Sequence, residues 1–261
     1  MLLDNFKKAK EPEIRELRRL ERAGLLPVPR QGRRPDFLQA LQAPPSDQSL
    51  AIIAEFKQAS PSRGIIAEGL SPELVAEQYA HAGASCISVL TEEQFFKGEL
   101  GFLDRMAAPG VPLLRKDFIM DPLQVTATAA TAASAMLLIV RFTPDAGLLR
   151  TLREQAESFG IHAVVEIFDE ADLILARQSG ARIIQVNARD LDTLKTDRQI
   201  CLDLVRFRQD GEIWIAASAM EQPSHLTAAA QAGYHAALIG TALMQNGKPG
   251  DNLSSLIANL H

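Results

Sequence analysis

Eight short apolar runs, separated by segments of helical period, constrain this chain more than any other feature. They are Ala51–Phe56, Cys86–Leu90, Pro112–Leu114, Ala135–Val140, Ala163–Ile167, Ile183–Val186, Ile213–Ala216 and Ala236–Ile239. Most are rich in Ile, Val and Leu and lack polar alternation, the pattern of strands buried on both faces of a parallel sheet. Helical periods fill the gaps at Pro72–Ala82, Asp121–Ala133, Asp145–Phe159, Glu170–Ser179, Gln199–Arg208, Gln222–Ala232 and Asp251–Leu260, with a weaker one at Glu99–Met106. Ser71-Pro72 and Thr143-Pro144 read as helix starts. Gly83, Gly160, Gly180 and Gly233 follow helical patterns where a left-handed cap is wanted. Eight strand–helix units predict an α/β fold, a single (β/α)8 TIM barrel with an N-terminal helical extension. The expected division is one domain over residues 1–261, with the extension at 1–48 and the barrel at 49–261. Leu2–Arg22 is charged and helical, and Gly24–Pro45 is rich in Pro, Gly and Arg. The extension either plugs one end of the barrel or covers its mouth, and periodicity does not separate the two.

In such barrels chemistry gathers where the strands end. The first run ends in Glu55 and Lys57, two residues apart and so on one face of a strand. Ser60-Pro61-Ser62-Arg63-Gly64, a turn-rich loop, follows at once. The second run ends in Thr91-Glu92-Glu93 with Phe95-Phe96 beyond, and the third in Arg115-Lys116-Asp117-Phe118. The fifth carries Glu166, the sixth ends in Asn187 and then Arg189, the seventh in Ser218 and the eighth in Gly240-Thr241. Charged side chains at the ends of apolar strands imply a polar pocket at the barrel top. Gly240 and Thr241 suit an anion, through close backbone approach and the start of a short helix, and Ser218 at the neighbouring strand end can contribute.

The formal net charge of -5 and the lack of a basic block argue against nucleic-acid binding. The N-terminus is too charged for a signal peptide and the apolar runs are too short to cross a bilayer, so a cytoplasmic setting without membrane partners is expected. Cys86 and Cys201 lie far apart and no Cys/His cluster suggests a metal site.

The chain resembles the indole-3-glycerol phosphate synthase family over nearly its whole length. The resemblance is carried by Phe37-Leu38-Gln39-Ala40-Leu41, Ile53-Ala54-Glu55-Phe56-Lys57 with Ser60-Pro61-Ser62-Arg63-Gly64, and Ser88-Val89-Leu90-Thr91-Glu92-Glu93 with Phe96. Leu114-Arg115-Lys116-Asp117-Phe118-Ile119 and Asn187-Ala188-Arg189-Asp190-Leu191 complete it. It implies conversion of 1-(2-carboxyphenylamino)-1-deoxy-D-ribulose 5-phosphate to indole-3-glycerol phosphate in tryptophan biosynthesis, with no metal and no organic cofactor. By resemblance Lys116 is the general acid on the ketone oxygen and Glu166 the base in the dehydration. Lys57 steadies anionic groups or aids proton transfer, Glu55 holds the lysines, and Asn187 hydrogen-bonds hydroxyls or the carbonyl oxygen. Ser60 is expected at the carboxylate and Arg189 at the polar part of the ligand. Phe96, Phe118 and Leu194 would wall the aromatic ring, with ordinary core packing the other reading of each. Ser218, Ala219, Gly240 and Thr241 are the expected phosphate side, and the loop Gln58–Leu70 is expected to close over the substrate.

The chain departs from the family where the seventh strand ends. The family pattern there is Glu-Ser-Gly-Ile; this chain has Ala217-Ser218-Ala219-Met220. A carboxylate beside two lysines is thereby missing, which alters their charge balance. Ala219 keeps an N–H for a phosphate and is expected to serve if its φ is negative. An alternative reading is therefore a catalytically weakened paralogue that binds a phosphorylated ligand or a protein partner; another phosphosugar enzyme on the same barrel is a third. A monomer or weak homo-oligomer is expected.

Overall fold

In the computed structural model, which describes residues 2–45, 48–66, 69–258 and 260, eight parallel strands close into a barrel. They are β1 Ala51–Phe56, β2 Cys86–Leu90, β3 Leu113–Lys116, β4 Ala135–Ile139, β5 His162–Ile167, β6 Ile183–Asn187, β7 Ile213–Ala217 and β8 Ala236–Ile239. Each pairs with its sequence neighbours, and β8 closes on β1 with Ala51 opposite Ala236. Strand phase divides the core in two. Ile52, Ala54 and Phe56 belong to the layer between barrel and helices, whereas Ala51 and Ile53 belong to the barrel interior. The same alternation places Trp214 and Ala216 outside and Ile213, Ile215 and Ala217 inside.

The predicted strands form within two residues of their expected ends, and β3 differs most. Arg115 and Lys116, expected just past it, lie within it. Arg115 takes the outward phase. It is fully buried, where it donates to Thr91 Oγ1, the Gln124 carbonyl and Thr128 Oγ1. That polar pocket between barrel and helix lets the strand continue through a charge. The helices begin where side-chain caps allow. Asp121 and Gln124 form a capping box, and Asp145 and Asp169 accept from backbone N–H groups three residues on. The helix expected over Asp121–Ala133 stops at Ala129. Its last carbonyl and those of Thr131 and Ala133 are taken by the Arg34 guanidinium, which ties the N-terminal segment to the barrel. Gly83, Gly160, Gly180 and Gly233 all have positive φ, as caps of that kind require.

The N-terminal segment does both jobs. The helix Phe37–Gln42 sits at the amino ends of the strands, where Asp36 faces His162 at the start of β5 at 3.6 Å and Phe37 and Leu41 join the interior core. The helix Leu2–Arg22 lies over the other end. Its buried face carries Phe6, Lys10 and Leu17, so its amphipathic stripe includes a charge. Lys10 pairs with Asp117 at 2.9 Å and also with Glu13, while Glu13 reaches Arg115 at 3.0 Å. Arg115 and Asp117 meet at 2.8 Å. This four-residue network fastens the helix to the end of β3.

The network sets a pH window. Burial alone would raise the Asp117 carboxyl, but Arg115 and Lys10 outweigh it and hold it well below the usual carboxylate range. Burial alone would lower the Lys10 ammonium, but Asp117 and Glu13 outweigh it and raise it. A depressed acid stabilises fully above its unfolded value and loses this as pH falls toward its folded value. A raised base stabilises fully below its unfolded value and loses this as pH rises through its folded value. The melting-temperature gap between wild type and Lys10→Met should therefore be flat at neutral pH. It should narrow below about pH 3.9 and above about pH 10.4. A gap that does not vary with pH in calorimetry would refute the ion-pair account.

Candidate active site

The inward phase of the strands, at their carboxyl ends, places five polar side chains around one cavity. Glu55 from β1, Lys116 from β3, Glu166 from β5 and Asn187 from β6 line it, joined by Lys57 just beyond β1. With its open mouth included the cavity holds about 990 Å³ of space, within the range of small-molecule sites.

Glu55 is the electrostatic centre. Its Oε1 accepts from Lys57 Nζ at 2.7 Å. Burial alone would raise its carboxyl, but Lys57, Lys116 and Arg189 outweigh that and hold its pKa below the ordinary value. Glu55 is thus a fixed anion that pairs with Lys57 and feels the charge of Lys116. Gly240 leaves room for this pair. A Cβ there would lie 2.2 Å from Glu55 Oε1 and 2.6 Å from Lys57 Nζ. Room for the ion pair is therefore one reason for this glycine, apart from any approach to an anion.

Glu166 is also buried, but its environment is different. It accepts from Gln185 Nε2 at 2.5 Å, and among the described residues no cation pairs with it. Asn187 uses its side-chain oxygen twice, accepting from Ser218 Oγ at 2.7 Å and from the Arg189 backbone N–H at 2.9 Å. That assignment leaves the Nδ2 donors of Asn187 for the cavity.

One wall is aromatic. Phe118 stacks on Phe6 with ring centroids 4.4 Å apart and on Phe142 at 4.6 Å. Phe96 stands 6.2 Å from Phe118. It is set by Glu92, whose buried carboxylate accepts the backbone N–H groups of Gln94, Phe95 and Phe96. Glu92 at the end of β2 thus builds the wall and does not enter the cavity lining.

Ser60, Phe96, Phe118, Arg189, Leu194, Ser218, Ala219, Gly240 and Thr241 all line this cavity with the five residues above. The loop after β1 forms a short hairpin, Ala59–Ser60 against Gly64–Ile65. Arg63 on that hairpin lies 3.7 Å from Glu221 beyond β7, across the mouth. Residues 67 and 68 of the loop expected to close fall outside the described residues. Phe6 and Gln185 escaped the sequence reading. Phe6 shares a helix face with Lys10, four residues on, and Gln185 is a polar residue in strand phase with Asn187 inside an apolar run. Both signals are weak without the fold.

A model of the family described as indole-3-glycerol phosphate synthase matches residues 3–256. The chain is 37% identical to an indole-3-glycerol phosphate synthase of Desulfotalea psychrophila over 98% of both chains. It is 39% identical to one of Chloroherpeton thalassium over 92% of this chain and 87% of that one. The chain belongs to the indole-3-glycerol phosphate synthase family. Among solved structures it is similar to a thiamine phosphate pyrophosphorylase from Pyrococcus furiosus, with a TM-score of 0.59 and 11% identity over 81% of this chain and 95% of that one. A mandelate oxidase mutant is likewise similar, with a TM-score of 0.59 and 14% identity over 90% of this chain and 79% of that one. These two likenesses concern the fold alone.

Within the indole-3-glycerol phosphate synthase frame, the end of β7 corrects one expectation. Ala219 has φ 56°, and Ser218 before it has φ 68°. The negative φ on which phosphate binding at Ala219 was conditional is not adopted; the chain turns through two successive left-handed residues, with Ser218 Oγ donating to Asn187 Oδ1. Each such residue costs about 1–2 kcal/mol when it carries a Cβ. Ala219→Gly should relieve most of this, offset by the greater freedom of glycine in the unfolded chain. The expected net gain is about 0.5–1 kcal/mol, or roughly 2 °C in melting temperature. A lower melting temperature in the variant would show that the turn is not strained.

Proposed function

We propose that this chain is an indole-3-glycerol phosphate synthase, converting 1-(2-carboxyphenylamino)-1-deoxy-D-ribulose 5-phosphate to indole-3-glycerol phosphate, carbon dioxide and water. The supporting observation is the convergence of two ammonium groups, two buried carboxylates in unlike environments and an aromatic wall on one cavity, in a member of that family. The ring carbon bearing the carboxylate attacks the ketone carbon, and Lys116 gives a proton to the ketone oxygen. Carbon dioxide leaves with the new C–C bond in place, its electron pair restoring the aromatic ring. The hydroxyl then takes a proton from Lys57 and departs as water, and Glu166 removes a proton from the adjacent former methylene carbon. Glu55 holds the lysines in place, Lys57 steadies the anionic groups, and Asn187 donates to the sugar oxygens.

Phe6, Phe96, Phe118 and Leu194 enclose the anthranilate ring, with its carboxylate toward Ser60 and Arg189. The phosphate lies toward Ser218, Gly240 and Thr241. The hairpin loop closes over the bound molecule and excludes water. The chain acts on this small phosphorylated substrate in the cytoplasm, as a monomer or weak homo-oligomer.

The test is a fluorescence assay for indole-3-glycerol phosphate on the purified chain without added metal. Saturable turnover supports the reading. Tight substrate binding without turnover favours the weakened paralogue, which Ala217 motivates: that residue lies buried beside Asn187 with no carboxylate to offer.

A further inference from the structure

Among the described residues Gln185 is the one whose side chain hydrogen-bonds that of Glu166, and nothing in the reaction described above uses it. The two face each other in the β5–β6 register, and both side chains point into the barrel. Gln185 is wholly buried beneath the cavity and is absent from its lining, so it does not touch a bound substrate. Its Nε2 donates to Glu166 Oε2 at 2.5 Å, while its Oε1 is buried without a hydrogen-bond partner among the described residues. An amide with an orphaned oxygen is unfavourable in an interior that includes Ile183, Ile213 and Ile215. An apolar side chain would avoid that loss.

We propose that Gln185 is a positioning residue that partners Glu166 in both of its protonation states. With Glu166 ionised, Nε2–H donates to it, as the structure shows. After Glu166 has taken a proton, a half-turn of the amide brings the unpartnered Oε1 round to accept the carboxyl O–H. A neutral, reversible partner suits a carboxyl that must gain and lose a proton. A lysine, as at Glu55, would hold it ionised. The charged groups sharing the cavity with Glu166 are Glu55, Lys57, Lys116, Arg189 and Glu221, and none forms a salt bridge with it. The orientation of Glu166 therefore depends on Gln185.

This inference rests on the role proposed for Glu166, and the experiment separates the two. Wild-type turnover tests the function. Gln185→Met keeps the volume and removes both hydrogen-bonding atoms. It should lower kcat about tenfold or more with KM within about twofold, and move the acidic limb of the kcat–pH profile upward, since the ionised carboxylate has lost its donor. Should Gln185→Met not fold, Gln185→Glu is read in its place. It sets two carboxyls face to face, and the same limb should move up as they share a proton. A readout independent of turnover is the carbon-13 carboxyl titration of Glu166, assigned with Glu166→Gln. Its midpoint should differ between wild type and the Gln185 variant. Unchanged kcat and pH profile, or, in a chain without turnover, an unchanged titration, overturns the proposal.

Discussion

Lys116→Ala should lower kcat/KM by about 10²–10⁴-fold while the protein melts close to the wild-type temperature. The reason for both halves lies in its placement. Lys116 is the last residue of β3 and takes the inward phase, half-buried at the cavity. Among the described residues its side chain forms no hydrogen bond or salt bridge, although its charge acts on Glu55. Removing it therefore breaks no buried pair, and Glu55 keeps Lys57 at 2.7 Å. What disappears is the proton for the ketone oxygen, which is needed in the transition state, so the loss should fall on kcat more than on KM. Lys116→Arg sharpens the test. It restores the charge but gives up its proton far less readily. Turnover should stay low while substrate affinity recovers. A Lys116→Ala enzyme within tenfold of wild type would remove this residue from the acid role.

The barrel was legible because its strands are buried on both faces and so read as unbroken apolar runs. The polar strand ends were legible because a charge that interrupts such a run is conspicuous. Three features were not. Arg115 looked like the first residue past β3, because a charge buried in a strand is stable only with partners, and these come from Gln124, Thr128 and the distant Glu13. Gly240 read as a phosphate contact, and only the fold shows that a side chain there would also crowd the Glu55–Lys57 pair. Gln185 was hidden in an apolar run, since its significance depends on the register that sets it against Glu166. In each case the deciding partner is remote in sequence, and periodicity carries only local information.

Asp117→Leu should cost about 3–5 kcal/mol of stability, a fall of roughly 6–20 °C in melting temperature. Asp117 is wholly enclosed and fully used. Its Oδ2 accepts from Arg115 at 2.8 Å and from Thr91 Oγ1 at 2.7 Å. Its Oδ1 takes the Phe118 backbone N–H at 2.8 Å and the Lys10 ammonium at 2.9 Å. Leucine would leave Arg115 and Lys10 buried with Glu13 as their shared anion, and two cations would then repel across the joint between the N-terminal helix and β3. That joint also carries function. Phe6 is held on the same helix face as Lys10 and stacks on Phe118, which follows Asp117 directly. A loosened helix withdraws one side of the aromatic wall while Lys116, Glu166 and Glu55 stay on their strands. Below its melting temperature the variant should accordingly show KM raised several-fold with kcat changed less. Lys10→Met, which leaves Arg115 and Asp117 paired, should reproduce the KM effect at a smaller cost in stability. If Asp117→Leu melts within about 2 °C of wild type, the network does not hold the helix, and the docking of Phe6 must be credited to the aromatic stack alone.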